Sequence, residues 1–327
     1  VSTPATDDRN LPGTVQGWAA QLRSGDVRAL ARAISTIEDQ APQSEALLEQ
    51  LFPFTGKAFV IGVTGAPGTG KSTLVDRLAA AYRAESRSVG IIAVDPTSPY
   101  TGGAVLGDRI RMQGHSGDPG VFIRSMATRG FLGGLARATA DVALLLDAAG
   151  RQMVLLETVG VGQDEVDVVR LADCTLVLLV PGLGDDVQSM KAGLMEVADI
   201  FVVNKAEREG ADRLQQQLEA MLELAPGRTD WRTPIIRTTA TEGKGVTELV
   251  AAIEKFRTQA ESAPDRQTRA VEHWKQRLRT LLGEQLLEGV VAKSGGEAAL
   301  QALAENVAER RVNPYTAVRD MAARAGI

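Results

Sequence analysis

The run Gly65-Ala66-Pro67-Gly68-Thr69-Gly70-Lys71-Ser72 constrains this chain more than any other stretch. It fits G-x-x-x-x-G-K-[ST], and its flanks fit the mechanism behind that pattern. Ala58-Phe59-Val60-Ile61-Gly62-Val63 before it is a short apolar β-type segment, and Thr73-Leu74-Val75-Asp76-Arg77-Leu78 after it reads as helix. Strand, glycine loop and helix in that order form a phosphate-binding P-loop. The glycines let backbone N–H groups curl round a phosphate without Cβ clashes, and the helix N-terminus adds partial positive charge. Lys71 is expected to reach the β- and γ-phosphates and the Ser72 hydroxyl to sit on Mg²⁺, with Thr73 next along the helix N-terminus. Such a chain binds a nucleoside triphosphate.

A P-loop of this kind needs a parallel sheet behind it, and the apolar pattern supplies one. Strands are expected at 58–64, 88–94, 121–125, 152–157, 174–180, 199–204 and 234–238. Helices are expected at 71–84, 133–148, 187–197, 211–223 and 246–260. Alternation of this kind argues for an α/β fold, a P-loop NTPase whose mostly parallel sheet is covered by helices on both faces. Residues 1–12 read as a tail. The pattern is helical from about Val15 to Glu49, through Val27, Leu30, Ala31, Ile34 and Ile37. Ala41-Pro42 breaks it before a second helix through Leu47, Leu48 and Leu51. Beyond Gln267 the strand signal stops. Val271, Trp274, Leu278, Leu281, Leu282 and Leu286 form a stripe on a charged helix, Gly295-Gly296 ends it, and Asn313-Pro314 opens a last one. That stripe either packs on the protein's own core or serves as a helical dimerisation arm. The expected division is an N-terminal helical extension over 1–54, a nucleotide domain over 55–262 and a C-terminal helical arm over 263–327.

Composition narrows the partners. A formal net charge of −5 gives no broad surface for nucleic acid or anionic membrane. No apolar run approaches transmembrane length, and the first ten residues lack the features of a signal or transit peptide, so a cytoplasmic location is expected. The single cysteine, Cys174, opens an apolar strand and reads as a buried thiol. The two histidines, His115 and His273, lie far apart and leave no clustered Cys/His metal site.

The remaining polar motifs fall at the carboxyl ends of the expected strands, where ligands sit in such sheets. Asp95, in Val94-Asp95-Pro96-Thr97, either serves Mg²⁺ and the attacking water or caps a turn before Pro96. Asp108 follows a Gly102-Gly103 linker, and a loop between two carboxylates suits a segment that closes on the γ-phosphate. Glu157 in Glu157-Thr158-Val159-Gly160-Val161-Gly162-Gln163 stands where P-loop G proteins carry the aspartate of Asp-x-x-Gly, and Gly160 stands where the γ-phosphate is sensed. Val161 occupies the position at which small G proteins place a water-orienting glutamine, so slow intrinsic hydrolysis is expected. Asn204-Lys205-Ala206-Glu207 resembles the guanine-selecting Asn-Lys-x-Asp motif, with glutamate for aspartate. A carboxylate there accepts from guanine N1–H and N2–H₂, which adenine cannot donate. Thr239-Ala240-Thr241 fits the loop whose backbone N–H meets guanine O6. GTP is therefore expected over ATP.

Together these stretches resemble the MeaB/ArgK-like G proteins, chaperones of adenosylcobalamin-dependent acyl-CoA mutases. The likeness rests on Gly65–Ser72, Asp95-Pro96-Thr97-Ser98, Gly107–Met112, 124–130, Leu132-Gly133-Gly134, Glu157–Gln163 and Asn204-Lys205-Ala206. It implies a GTPase using GTP/GDP and Mg²⁺. Lys71 would be on phosphate, and Ser72, Asp95, Asp108 and Glu157 would serve the metal and catalysis. It also implies a homodimer joined through the C-terminal arm, and a client that is most often methylmalonyl-CoA mutase, with a cobalamin adenosyltransferase as a further partner. The loop 181–191 resembles the family's additional switch, with Gln188 and Lys191 as its candidate residues, although a plain glycine-rich βα loop fits it too. Two other classes share parts of this pattern, metallochaperone GTPases and transport-linked kinases of the ArgK type. The first needs metal-binding Cys/His and the second ATP preference, and neither signature is present.

Overall fold

The computed structural model describes residues 14–95, 113–115, 117–127, 134–158, 171–182, 198–224, 231–263 and 266–326. The chain divides into two compact units, Val1–Gln259 and Ala260–Ile327.

The first unit is built on seven strands, β1 Phe59–Gly65, β2 Val89–Asp95, β3 Val121–Ala127, β4 Met153–Glu157, β5 Cys174–Leu179, β6 Ile200–Asn204 and β7 Ile235–Thr238. Their order is β3-β2-β4-β1-β5-β6-β7, with every pairing parallel. β4 and β5 are wholly buried, as a sheet covered on both faces requires. β1 lies between β4 and β5, so the loop leaving its carboxyl end opens at the centre of the sheet. Cys174 is fully buried at the start of β5, and burial pushes its thiol well above its ordinary pKa.

Helices α1 Val15–Arg23, α2 Val27–Glu38 and α3 Gln43–Leu51 precede β1. The helical stretch expected from Val15 to the Ala41-Pro42 break is thus two helices. Gly25, at φ +84°, turns the chain, and the Asp26 carboxylate restarts it by accepting from the N–H groups of Arg28 at 2.8 Å and Ala29 at 2.9 Å. Apolar periodicity carries across so short an interruption, which is why the stripe alone did not show it. These helices share one core with α5, Gly134–Ala148, and with β2, β3 and β4: Trp18, Leu30, Ile34 and Leu47 pack with Ile92, Met126, Leu145 and Leu156. Arg124 on β3 pairs with Glu38 on α2. The Asp147 carboxylate, on α5, accepts from the N–H groups of Gly56 and Ala58 and sets the chain's entry into β1.

α4 Lys71–Ala84 follows β1, α6 Ala211–Leu224 covers β5 and β6, and α7 Val246–Ser262 follows β7. In the second unit α8 Arg266–Lys293 packs with α9 Gly296–Ala308 and α10 Pro314–Ala325. Asn313 caps α10 by accepting from Thr316 N–H, and Ala317, Met321 and Ala325 are buried. The α8 stripe is not covered, since Val271, Trp274, Leu278 and Leu282 stay 38–61% exposed. Among the described residues, no helix is long and apolar enough to cross a membrane. The expected helix at 187–197 lies outside them.

Candidate nucleotide site

Gly65 closes β1 at φ +145°, where a Cβ would stand 2.4 Å from the Leu178 carbonyl oxygen of β5. Gly70, at φ +93°, is the N-cap of α4, and a Cβ on it would stand 2.6 Å from Asn204 Nδ2. Neither position accepts a side chain without moving a neighbour. Between them the loop is pinned by Thr69, whose N–H and Oγ1 both donate to the Ala66 carbonyl, at 3.2 and 2.9 Å. Among the described residues no side chain caps α4, and its first turn, Lys71, Ser72 and Thr73, follows the loop with the positive end of the helix dipole directed at it. The Lys71 ammonium is held against this loop, donating to Gly65 O at 2.8 Å and Ala66 O at 3.2 Å. Pro67 and Gly68 complete the expected cradle.

The acidic side of the site comes from the neighbouring strands. Glu157 ends β4 in register with Val63, and its Oε1 accepts from Ser72 Oγ at 2.6 Å. Both residues are buried. Thr158 N–H donates to Val63 O, and the Thr158 hydroxyl meets the Thr64 hydroxyl at 3.0 Å, tying the ends of β4 and β1 together. Asp95 is the last residue of β2; Ala93 is in register with Glu157, so Asp95 lies two residues further along the same edge. Asp108, Gly160, Gln188 and Lys191 lie outside the described residues.

β6 and β7 position the other side. Asn204 is buried at the end of β6 and opposite Thr238. Its Nδ2 donates to Thr69 O at 2.8 Å, while its Oδ1 accepts from Thr238 Oγ1 at 3.0 Å and Ala240 N–H at 3.1 Å. One side chain therefore joins the phosphate loop to the Thr239–Thr241 loop. Lys205, at φ +54°, turns the chain, and its ammonium donates to Gly68 O at 2.8 Å. Glu207 Oε2 accepts from Thr239 Oγ1 at 2.9 Å; its own backbone N–H and that hydroxyl hold the carboxyl below the usual range. It is thus an ionised acceptor beside the Thr239–Thr241 loop at neutral pH. The structure brings Gly65–Thr73, Glu157, Asn204, Lys205, Glu207 and Thr239–Thr241 to one edge of the sheet. It adds Arg77, whose guanidinium bonds the carbonyls of Ala240 and Thr241. Nothing in the sequence marks Arg77, because its partners lie more than 160 positions away.

Residues 30–295 match the family described as methylmalonyl Co-A mutase-associated GTPase MeaB. The chain belongs to the MeaB family of GTPases. A Pyrococcus abyssi protein is 46% identical over 300 residues, covering 91% of this chain and 92% of its own length. The mitochondrial methylmalonic aciduria type A homolog of Caenorhabditis elegans is 35% identical over 76% of this chain and 66% of its own length. Among solved structures, the crystal structure of a LAO/AO transport system kinase superposes with a TM-score of 0.72 at 27% identity, covering 97% of this chain and 99% of that one. Membership in the MeaB family makes this chain a P-loop GTPase that binds guanine nucleotide. The family as named is associated with methylmalonyl-CoA mutase.

Proposed function

We propose that this MeaB-family GTPase is a chaperone that gates cofactor loading and protects an adenosylcobalamin-dependent acyl-CoA mutase, foremost methylmalonyl-CoA mutase. The observation that carries the reading is the family match over residues 30–295, and the C. elegans homolog's name points the same way. In this reading Lys71 neutralises the β- and γ-phosphates, the α4 N-terminus binds them through backbone N–H groups, and Glu207 selects guanine. The donors near Ser72 fit Mg²⁺: the Ser72 hydroxyl and Glu157 carboxylate are hard oxygens 2.6 Å apart at the phosphate end of α4. Asp95 and Asp108 would join them. Bound Mg²⁺ would neutralise charge developing on the phosphate oxygens. Gly160, Gln188 and Lys191 belong to segments that would pass the nucleotide state to the mutase, with a cobalamin adenosyltransferase as a further partner. The test is whether a purified mutase accelerates GTP turnover.

The same reading makes the protein a homodimer through its C-terminal unit. Its support is the α8 face, an open groove of about 590 Å³ lined by Val271, Trp274, Leu278 and Leu282 among others. A solvent-facing apolar stripe of this length suits a second copy better than water. Leu278→Asp, at a residue 61% exposed, is expected to leave the monomer folded and to halve the mass in solution. Light scattering after size exclusion reads this directly, and an unchanged dimeric mass for the variant would remove α8 from the interface.

A transport-linked kinase is the second reading, favoured by the name of the LAO/AO transport system kinase structure. The Asn204-Lys205-Ala206-Glu207 motif and the ionised Glu207 beside the base loop weigh against it, because they suit guanine and a kinase of that type would use ATP.

A further inference from the structure

We propose that Arg77 is a positioning residue for base recognition, orienting the backbone N–H that meets the 6-keto oxygen of guanine. The inference rests on the reading of Thr239–Thr241 as the base loop. Arg77 lies on α4, under two turns beyond Lys71. Its Nε donates to Ala240 O at 3.0 Å and its Nη2 to Thr241 O at 2.7 Å. Both donors sit on one planar guanidinium, so the two carbonyls are fixed together.

The peptide plane carries this grip to the base. Ala240 C=O and Thr241 N–H belong to one planar trans peptide and point in opposite directions. Holding Ala240 O toward Arg77 therefore turns Thr241 N–H away from it. A cationic donor on the carbonyl also polarises that peptide and strengthens the N–H as a donor. On its other side, Ala240 N–H is engaged by Asn204 Oδ1 at 3.1 Å. The loop is thus gripped by β6 through Asn204 and by α4 through Arg77. Helix α4 then carries the phosphate contact at its first residue and the base-loop contact at Arg77, which places both ends of the nucleotide on one rigid element. Arg77 is itself exposed, so truncating it opens no cavity in the core.

The test compares GDP with 6-thioguanosine diphosphate, which keeps N1–H and N2–H₂ but replaces O6 with a weakly accepting sulfur. Affinities are measured on the full chain for the parent, Arg77→Ala and Arg77→Lys, together with GDP release rates and thermal midpoints. The parent is expected to favour GDP by about tenfold, the scale of one lost hydrogen bond to a good acceptor. Arg77→Ala should lose most of that preference and release GDP about tenfold faster, while its affinity for the thio analogue and its midpoint stay near the parent's. Arg77→Lys, with one donor group in place of the planar fork, should fall between. Equal losses for both nucleotides, or a preference as large as the parent's, would overturn the role of Arg77 and leave the base loop standing. A parent with no preference for GDP would overturn the base-loop reading itself, and the role of Arg77 with it.

Discussion

Lys71→Ala lowers the GTP turnover number by about 10²–10³, the usual cost of removing one preorganised charge-stabilising group. The side chain is positioned for that effect. Lys71 is the first residue of α4 and only 7% exposed, and its ammonium is held by two carbonyls of the phosphate loop. Those contacts keep the ammonium beside the loop where the β- and γ-phosphates are expected. Alanine is a strong helix former, so α4 keeps its start. Gly65 and Gly70 set the loop's path through their positive φ angles, with Leu178 and Asn204 as close neighbours. The loss should then appear in turnover at saturating GTP, measured by phosphate release, with far-ultraviolet circular dichroism unchanged. Turnover within threefold of the parent's would remove Lys71 from the catalytic set.

The second large effect is on base choice. Glu207→Gln is expected to lower guanine nucleotide affinity by about two orders of magnitude, through the loss of two charge-assisted hydrogen bonds. The carboxylate offers acceptors for both N1–H and N2–H₂, whereas the amide offers one acceptor and a donor that opposes the guanine amine. Xanthine carries a carbonyl where guanine carries that amine, so xanthosine diphosphate should gain affinity in the variant. The direction follows from protonation state as well as shape. Glu207 is held ionised by its backbone N–H and by Thr239, so the parent presents acceptors only. Competition titrations with the two diphosphates read both changes. An unaltered ranking would place base selection elsewhere, with Asn204 and the Thr239–Thr241 loop.

Much of this architecture was legible because local rules and the fold agree. Each of the seven strands begins and ends within two residues of where its apolar run predicts, and α4 spans Lys71–Ala84 as expected. Buried parallel strands leave little choice, since both faces must be apolar. The break at Gly25 escaped because α1 and α2 present continuous apolar stripes to one core, and a stripe says that a face is buried without saying against what. The phosphate loop was readable as a motif, but the bonds that hold it were not. Asn204 to Thr69, Lys205 to Gly68 and Arg77 to Ala240 join positions 135, 137 and 163 residues apart. Periodicity and motif spacing carry no information at that range. Neither does a stripe reveal its partner: α8 was recognisable as amphipathic, yet only the structure shows Leu278 and Leu282 more than half exposed.

The measurement that most directly tests the mutase-chaperone reading is steady-state GTP hydrolysis by this protein, alone and with a purified adenosylcobalamin-dependent acyl-CoA mutase. Val161 stands where small G proteins carry a water-orienting glutamine, so the protein alone should turn over slowly. Methylmalonyl-CoA mutase should accelerate it by at least about tenfold, well below the largest partner effects known for GTPases. Rates unchanged by methylmalonyl-CoA, isobutyryl-CoA and 2-hydroxyisobutyryl-CoA mutases alike would contradict the chaperone reading and leave a MeaB-family GTPase acting on another partner.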